Sequence, residues 1–229
     1  IWSLKFSGCT RKDNGSSLIN MSTHDDLLFF TNFGKVYRLK GYNIPEFGRS
    51  AKGLPVVNLL NLDKEEHVKS MININRKQFE ENDDFYLVFV TKNGLIKRVH
   101  INEFQRIRQS GKIAISLKDD DQLVQVKLTD GNNEVLIAAS NGKVVRFKED
   151  NVRPMGGTGS GVKGINVDGS EVIGMTTNNA GQYILVVTEH GYGKMSPLDE
   201  YRLSNRGGKG VKTINTTARN GQIVALRAV

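Results

Sequence analysis

The sequence predicts an all-β protein, a propeller-like array of four-stranded blades. Three observations carry this expectation. A unit of about 50 residues recurs, glycines and polar turns divide each unit into four short strands, and no amphipathic stretch exceeds two helical turns. Landmark glycines at Gly34, Gly94, Gly142 and Gly191 set the period, with spacings of 60, 48 and 49 residues.

Each unit opens with an apolar strand, at 27–31, 86–91, 134–139 and 183–188. A tight turn then ends at the landmark glycine. In two units that turn is Asn-Gly, the strongest short hairpin signal, because both central positions tolerate positive φ. Return strands alternate polar and apolar residues at 35–40, 95–100 and 143–148. An arginine stands four residues after the glycine in three units (Arg38, Arg98, Arg146), and Met195 takes that place in the fourth. An irregular arm follows, carrying an acid and a second arginine (Arg49, Arg106, Arg153, Arg202) and closing on a lysine–glycine pair at Lys52, Lys112, Lys163 or Lys209. Third strands are expected at 55–62, 113–118, 165–167 and 211–216, and fourth strands at 68–74, 123–129, 172–178 and 223–229. The polar, acid-rich stretch 75–85 reads as a surface loop. The chain, which lacks an initial methionine, reads as a fragment forming one domain, 1–229. A partial blade covers 1–23, and blades cover about 24–78, 84–131, 132–180 and 181–229.

Charge is segregated along the same repeat. The arms at 35–53, 95–112, 143–164 and 192–212 hold 20 of the 32 lysines and arginines but six of the 24 acids, so a net charge of +8 conceals a far more basic portion. One solvated face does not explain five cations in each of four arms. Equivalent stacking of the units would join them into one positive surface suited to a polyanion. Besides the residues already named, Lys40, Lys97, Arg108, Lys143, Lys148, Lys194, Arg206 and Lys212 are expected to meet phosphates. Arg98 and Lys112 are expected to face solvent. Phosphate neutralisation releases counterions, so binding would be salt-dependent and little specific for sequence. Tyr37, Tyr42, Phe47, Phe104, Phe147 and Tyr201 lie in or beside the arms. They read as blade packing rather than base-stacking platforms, which favours duplex over single strands.

Other chemistries find little support. A hydrophobic content of 38% with 24% charged residues argues against global disorder. Cys9 is the sole cysteine, which excludes an intrachain disulfide and a cysteine-cluster zinc site and suits a reducing cytoplasm. No apolar run approaches the ~18 residues that span a bilayer, so no membrane partner is expected. Residues 159–164 satisfy G-x-G-x-x-G, but no βαβ unit surrounds them. His24, His67, His100 and His190 are dispersed without metal-ligand spacing, and no nucleophile-elbow motif is present. No catalytic residue, metal or cofactor is expected on this chain.

Ser204, Asn205, Arg206, Gly207, Gly208, Lys209 and Gly210 resemble, at five of seven positions, the heptapeptide box Q-R-R-G-G-K-G of the DNA gyrase A protein. Residues 29–40, 53–60, 111–115, 142–148 and 190–194 are similar to that family's C-terminal domain, and the resemblance covers about 17–229. It implies a β-pinwheel, a disc whose blades exchange strands and whose basic perimeter wraps duplex DNA. Such a disc presents a DNA segment to the strand-passage core of a bacterial type IIA topoisomerase. The same resemblance places the cleavage tyrosine in the N-terminal part of gyrase A and the ATPase in gyrase B. Those are the implied protein partners, and ATP and Mg would be used there. The family carries its box in the first blade, whereas the copy here stands in the last complete unit. Two alternatives stay open: the A-type subunit of topoisomerase IV, and a propeller scaffold for proteins, whose binding would be insensitive to salt.

Overall fold

Strands pair within each unit as the repeat dictates, but the last strand of every complete sheet comes from the unit that follows. The computed structural model describes residues 2–6, 17–47, 54–80, 85–118 and 120–229. In chain order, β1 (Trp2–Phe6) pairs with β2 (Ser17–Met21). The first unit supplies β3 (Asp26–Thr31), β4 (Lys35–Lys40) and β5 (Val68–Ile74), and the second β6 (Tyr86–Thr91), β7 (Leu95–His100), β8 (Lys112–Ile113) and β9 (Leu123–Thr129). The third supplies β10 (Glu134–Ala139), β11 (Lys143–Lys148), β12 (Val162–Lys163) and β13 (Val172–Thr177). The fourth supplies β14 (Tyr183–Thr188), β15 (Gly193–Pro197), β16 (Val211–Lys212) and β17 (Ile223–Ala228). The sheets run β5-β3-β4-β8, β9-β6-β7-β12, β13-β10-β11-β16 and β17-β14-β15, antiparallel throughout.

The opening strands of the first three units read as unbroken apolar runs, and both of their faces are buried. Leu27 and Phe29 pack with Met21, Tyr37 and Leu60, whereas Leu28 and Phe30 pack with Leu87, Phe89, Val99 and Phe104 of the second unit. The alternation repeats one unit on: Val88 and Val90 meet Val135, Ile137 and Phe147, and Leu136 and Ala138 meet Ile184, Val186 and Tyr201. The core is thus a series of layers between consecutive sheets. Each fully buried Leu, Ile, Val or Phe contributes roughly 1.5–3 kcal/mol of hydrophobic stabilisation. Phe30, Phe89 and Phe104 add edge-to-face or tilted ring contacts at 5.4–6.1 Å. On the inner side, cross-unit bonds join neighbouring strands: the Val126 amide donates to Ser70 Oγ at 2.9 Å and the Met175 amide to Gln125 Oε1 at 2.8 Å.

The expected third strands are shorter than the sequence suggests, and they leave their own unit. β8, β12 and β16 are two-residue tongues that pair antiparallel with β4, β7 and β11 of the preceding sheet. Each tongue must then dive so that Ile115, Ile165 or Ile214 enters the layer between sheets, which ends the pairing. The landmark glycines make that dive possible. Gly34, Gly94 and Gly142 have φ of +73°, +88° and +89°. A Cβ on Gly34 or Gly94 would stand 2.5 or 2.6 Å from the carbonyl oxygen of Ile115 or Ile165, and Gly142 meets Ile214 the same way. Two expectations for the first unit fail. Residues 56–58 form a 3-10 turn (Val56–Asn58) rather than a strand, since no earlier sheet receives them among the described residues. The stretch expected as loop contains a short helix (Arg76–Glu80), nucleated where Asn75 Oδ1 accepts from the Gln78 amide at 3.0 Å and Gln78 Oε1 from the Asn75 amide at 2.9 Å. No helix among the described residues is long and apolar enough to cross a membrane.

Candidate nucleic-acid interface

The arms of the second, third and fourth units lie against β4, β7 and β11, the outer strand that each preceding unit itself supplies. The arm of the third unit first runs parallel to β7, bridging Arg98 and Pro154, with the Met155 amide donating to the Arg98 carbonyl at 2.8 Å. The arm of the fourth unit bridges Arg146 and Leu203 in the same way, with the Ser204 amide donating to the Arg146 carbonyl at 2.9 Å. Each arm then turns back and enters as the antiparallel tongue.

The cations expected to bind phosphate divide into three groups by environment. Arg106, Arg108, Lys148, Arg153, Lys163, Arg202, Lys209 and Lys212 are exposed and have no acidic partner among the described residues. Lys40, Lys112, Lys143 and Lys194 are paired at 2.8–3.9 Å with Asp26, Glu103, Asp168 and Glu200. The Lys112, Lys143 and Lys194 pairs lie at the surface and hold by about 0–1 kcal/mol, so a phosphate can compete for those cations, whereas Lys40 is held by the buried Asp26. Arg49 and Lys52 lie outside the described residues.

The third group faces inward, which corrects the expectation that Arg98 faces solvent. Arg98 is 8% exposed, its guanidinium carbon 4.6 Å from the Tyr86 ring centroid and its Nη1 3.9 Å from Glu149 Oε1 in the next unit's 3-10 turn (Glu149–Asn151). Arg146 donates from Nε to Glu134 at 2.7 Å and from Nη1 to the carbonyls of Leu198 and Tyr201 at 2.9 and 3.0 Å. Arg38 stands 3.6 Å from Asp26 and donates to the Gln105 carbonyl. The recurrent arginine is therefore a clamp: it binds a group on its own first strand and reaches the turn that opens the next arm. Burial pushes the Glu149 carboxyl above its ordinary range, while the Thr129 hydroxyl, the Asn133 amide and Arg98 pull it back. For Arg98 the sequence signal is Glu149, the acid directly after the next unit's return strand; Arg38 and Arg146 meet backbone carbonyls there, which no side chain announces.

Lys97 is fully buried and is withdrawn from the phosphate set. Its Nζ donates to the carbonyls of Ala114 at 2.8 Å and Gly157 at 2.6 Å, joining the second unit's tongue to the third unit's glycine-rich arm. Burial lowers its pKa. Lys97→Met would strand two carbonyls, so we expect a loss of about 1–3 kcal/mol in urea unfolding with no change in the salt slope of polyanion binding.

The box-like loop is a latch between arms. Arg206 is exposed, but it donates from Nε to the Asn151 carbonyl at 3.0 Å and from Nη1 to the Lys163 carbonyl at 3.1 Å. Gly207 donates to the Gly164 carbonyl at 2.6 Å, and Asn166 to the Gly208 carbonyl at 2.9 Å. Gly210, at φ +76°, lies so close to β11 that a Cβ would stand 2.6 Å from the Val144 carbonyl oxygen. Loop and strand border an open groove of about 380 Å³ lined by Arg202, Arg206 and Lys209 beside Val144 and Val145. The latch holds the third and fourth arms side by side and turns two basic segments into one surface. The expected lysine–glycine register also shifts. Gly111, Gly161 and Gly210 are the equivalent positions before the tongues, so Lys163 aligns with Lys212 rather than with Lys209.

Of the arm aromatics, Tyr37, Phe104, Phe147 and Tyr201 are buried, and Tyr42 and Phe47 are exposed. Among the described residues, no three His, Cys, Asp or Glu side chains converge as a metal site would require.

The profile of the family described as DNA gyrase C-terminal domain, beta-propeller, matches residues 25–75, 86–130, 133–179 and 182–229. The DNA gyrase A protein of Staphylococcus epidermidis is 48% identical over 221 residues, covering 95% of this chain and 24% of that protein. Its counterpart in Staphylococcus aureus is 49% identical over 221 residues, covering 95% of this chain and 25% of that protein. The chain therefore spans about a quarter of the curated relatives it matches. The solved C-terminal domain of DNA topoisomerase IV superposes with a TM-score of 0.83 at 31% identity, covering 95% of this chain and 68% of that one. A DNA gyrase A C-terminal domain superposes at 0.75 with 24% identity, covering 99% and 73%, a likeness of fold.

Proposed function

The chain belongs to the DNA gyrase C-terminal domain family, and from that membership we propose that it binds duplex DNA along the perimeter formed by its arms. The observation that carries this reading is the set of exposed cations without acidic partners among the described residues, from Arg106 through Lys212, displayed on successive arms over outer strands. Contacts of this kind neutralise phosphates and read little sequence. The latch at 204–210 keeps adjacent arms in register, so a duplex leaving one meets the next. Bending the duplex costs energy, and several contacts on each side of a bend offset it.

On this reading the domain does no chemistry itself. It presents DNA to the strand-passage machinery formed by gyrase B and the rest of a gyrase A protein, where ATP and Mg act, in the bacterial cytoplasm. The curated relatives at 48–49% identity favour gyrase A over topoisomerase IV.

Titration of a duplex against this chain across salt tests the reading. A surface making six or more phosphate contacts is expected to lose on the order of 10³-fold in affinity between about 50 and 200 mM salt. A salt-independent affinity would instead support a protein scaffold. Wrapping is tested separately, by religating a nicked plasmid in the presence of the chain. A shifted linking number supports wrapping, and an unchanged one leaves binding without wrapping.

A further inference from the structure

Two arms hold an apolar side chain out among their cations, and both do so at the same place. Each arm leaves its 3-10 turn, is anchored once, shows two residues to solvent and is anchored again. In the fourth unit the first anchor is Tyr201, buried with its hydroxyl 2.5 Å from Thr213 Oγ1. The second is Ser204, whose amide and hydroxyl both donate to the Arg146 carbonyl, at 2.9 and 3.1 Å. Between them stand Arg202 and Leu203, both exposed. In the third unit the anchors are Val152, buried, and Met155, packed against the same core layer. Arg153 and Pro154 stand exposed between them. The second unit keeps the anchors, Phe104 and Ile107, but sets Gln105 and Arg106 between them. The apolar residue is thus confined to the two arms that the 204–210 loop latches together.

Leu203 is 46% exposed although its backbone is fixed by a parallel bridge to Arg146 on β11, and Pro154 is bridged to Arg98 on β7 in the same way. A leucine fixed at the surface gains nothing from phosphates, but it gains from leaving water. The cations around it, Arg153, Arg202, Arg206 and Lys209, draw a polyanion to that spot. Inside a duplex the largest apolar surface is the stacked faces of the base pairs. An apolar side chain reaches them by parting a step, and the duplex kinks where it enters.

We propose that Leu203 and Pro154 are wedges that enter base steps of the bound duplex, part their stacking and fix the bend there. This rests on the duplex-binding reading and adds where and how the duplex turns. Both side chains are held as a wedge must be: Leu203 lies between two anchors, and the ring of Pro154 fixes its own φ. Cations on either side grip the phosphates that flank the opened step. The wedges also supply a selectivity that phosphate contacts lack. Pyrimidine–purine steps such as TA unstack most easily and A-tracts resist, so the deformability of the duplex sets the binding register.

A duplex of about 40 base pairs with a single TA step between A-tracts offers one easy point of entry, and 2-aminopurine in place of that step's adenine reports unstacking. Titrated with the intact chain, its fluorescence is expected to rise saturably by about threefold. Leu203→Ser together with Pro154→Ser should cut the rise to under about a third of its size and weaken binding about tenfold. The urea midpoint and the slope of log K against log salt should not change, since both side chains are exposed and no cation is lost. Leu203→Ser alone, which leaves the proline in place, should lose about half of the rise. Leu203→Met keeps it, which separates an apolar wedge from a residue that only shapes the arm. Duplex binding with no rise overturns the wedges and leaves the duplex reading standing. A rise that survives in the double variant overturns their assignment to Leu203 and Pro154. Absence of duplex binding at about 50 mM salt overturns the duplex reading and the wedges with it.

Discussion

Arg98→Glu is expected to unfold the centre of the array, at a cost of about 3–5 kcal/mol, whether or not DNA is present. The guanidinium lies between the second and third units, against the Tyr86 ring and the buried Glu149 carboxylate. Replacing it with a carboxylate brings two like charges together in a layer where water does not screen them. Against a total stability of about 5–15 kcal/mol, that loss is a large fraction of the whole. Arg106→Glu, on the exposed arm nearby, should change stability by no more than about 0.5 kcal/mol. The two variants carry identical charge changes, so urea midpoints separate a clamp from a surface cation directly. Arg98→Met leaves Glu149 buried and unpaired and should also cost several kcal/mol. Adding Glu149→Gln should recover part of it, because the orphaned charge disappears. An Arg98→Glu midpoint equal to that of Arg106→Glu would remove the clamp from the account.

The recurrent arginine marks where sequence reasoning stopped. The strand pattern was legible because hydrophobic period and glycine turns are local, and both survive burial on two faces. The side on which a basic residue stands is not local. Arg38, Arg98 and Arg146 stand two residues after Val36, Ile96 and Val144 on the return strands, so the pleat puts each arginine on the same face as an apolar residue. That face would be solvent in a single sheet. Here the next unit covers it, and Gln105, Glu149 and Leu198, whose groups receive the clamps, are 51–67 residues away in sequence. Lys97 was misplaced for the same reason, since its acceptors belong to a tongue seated on the first sheet and to an arm of the third unit. The tongues shared that fate: their length is set by where Ile115, Ile165 and Ile214 leave the pairing to enter the layer between sheets. The exposed arm cations needed no such knowledge, because glycine- and proline-broken segments between strands run over surfaces.

Neutralising Arg153, Lys163, Arg202 and Lys209 together, each to glutamine, is expected to lower duplex affinity on the order of 10³-fold at about 100 mM salt while leaving the urea midpoint unchanged. All four side chains are exposed, and none has an acidic partner among the described residues. They lie on the two arms that the 204–210 loop latches together. Removing one phosphate contact should reduce the slope of log K against log salt by about 0.9, so the quadruple variant should fall short of the parent by about 3–4. Two controls decide between a contact surface and a general effect of net charge. Neutralising Lys40, Lys143 and Lys194 removes nearly as much charge, but these cations already face Asp26, Asp168 and Glu200. Binding there exchanges one anion for another, so the slope should change by well under about 0.9 per residue removed. Lys97→Met also removes a charge, from the interior, and should not move the slope. An unchanged slope in the quadruple variant, or an equal change in all three, would mean that the perimeter arms do not form the contact surface.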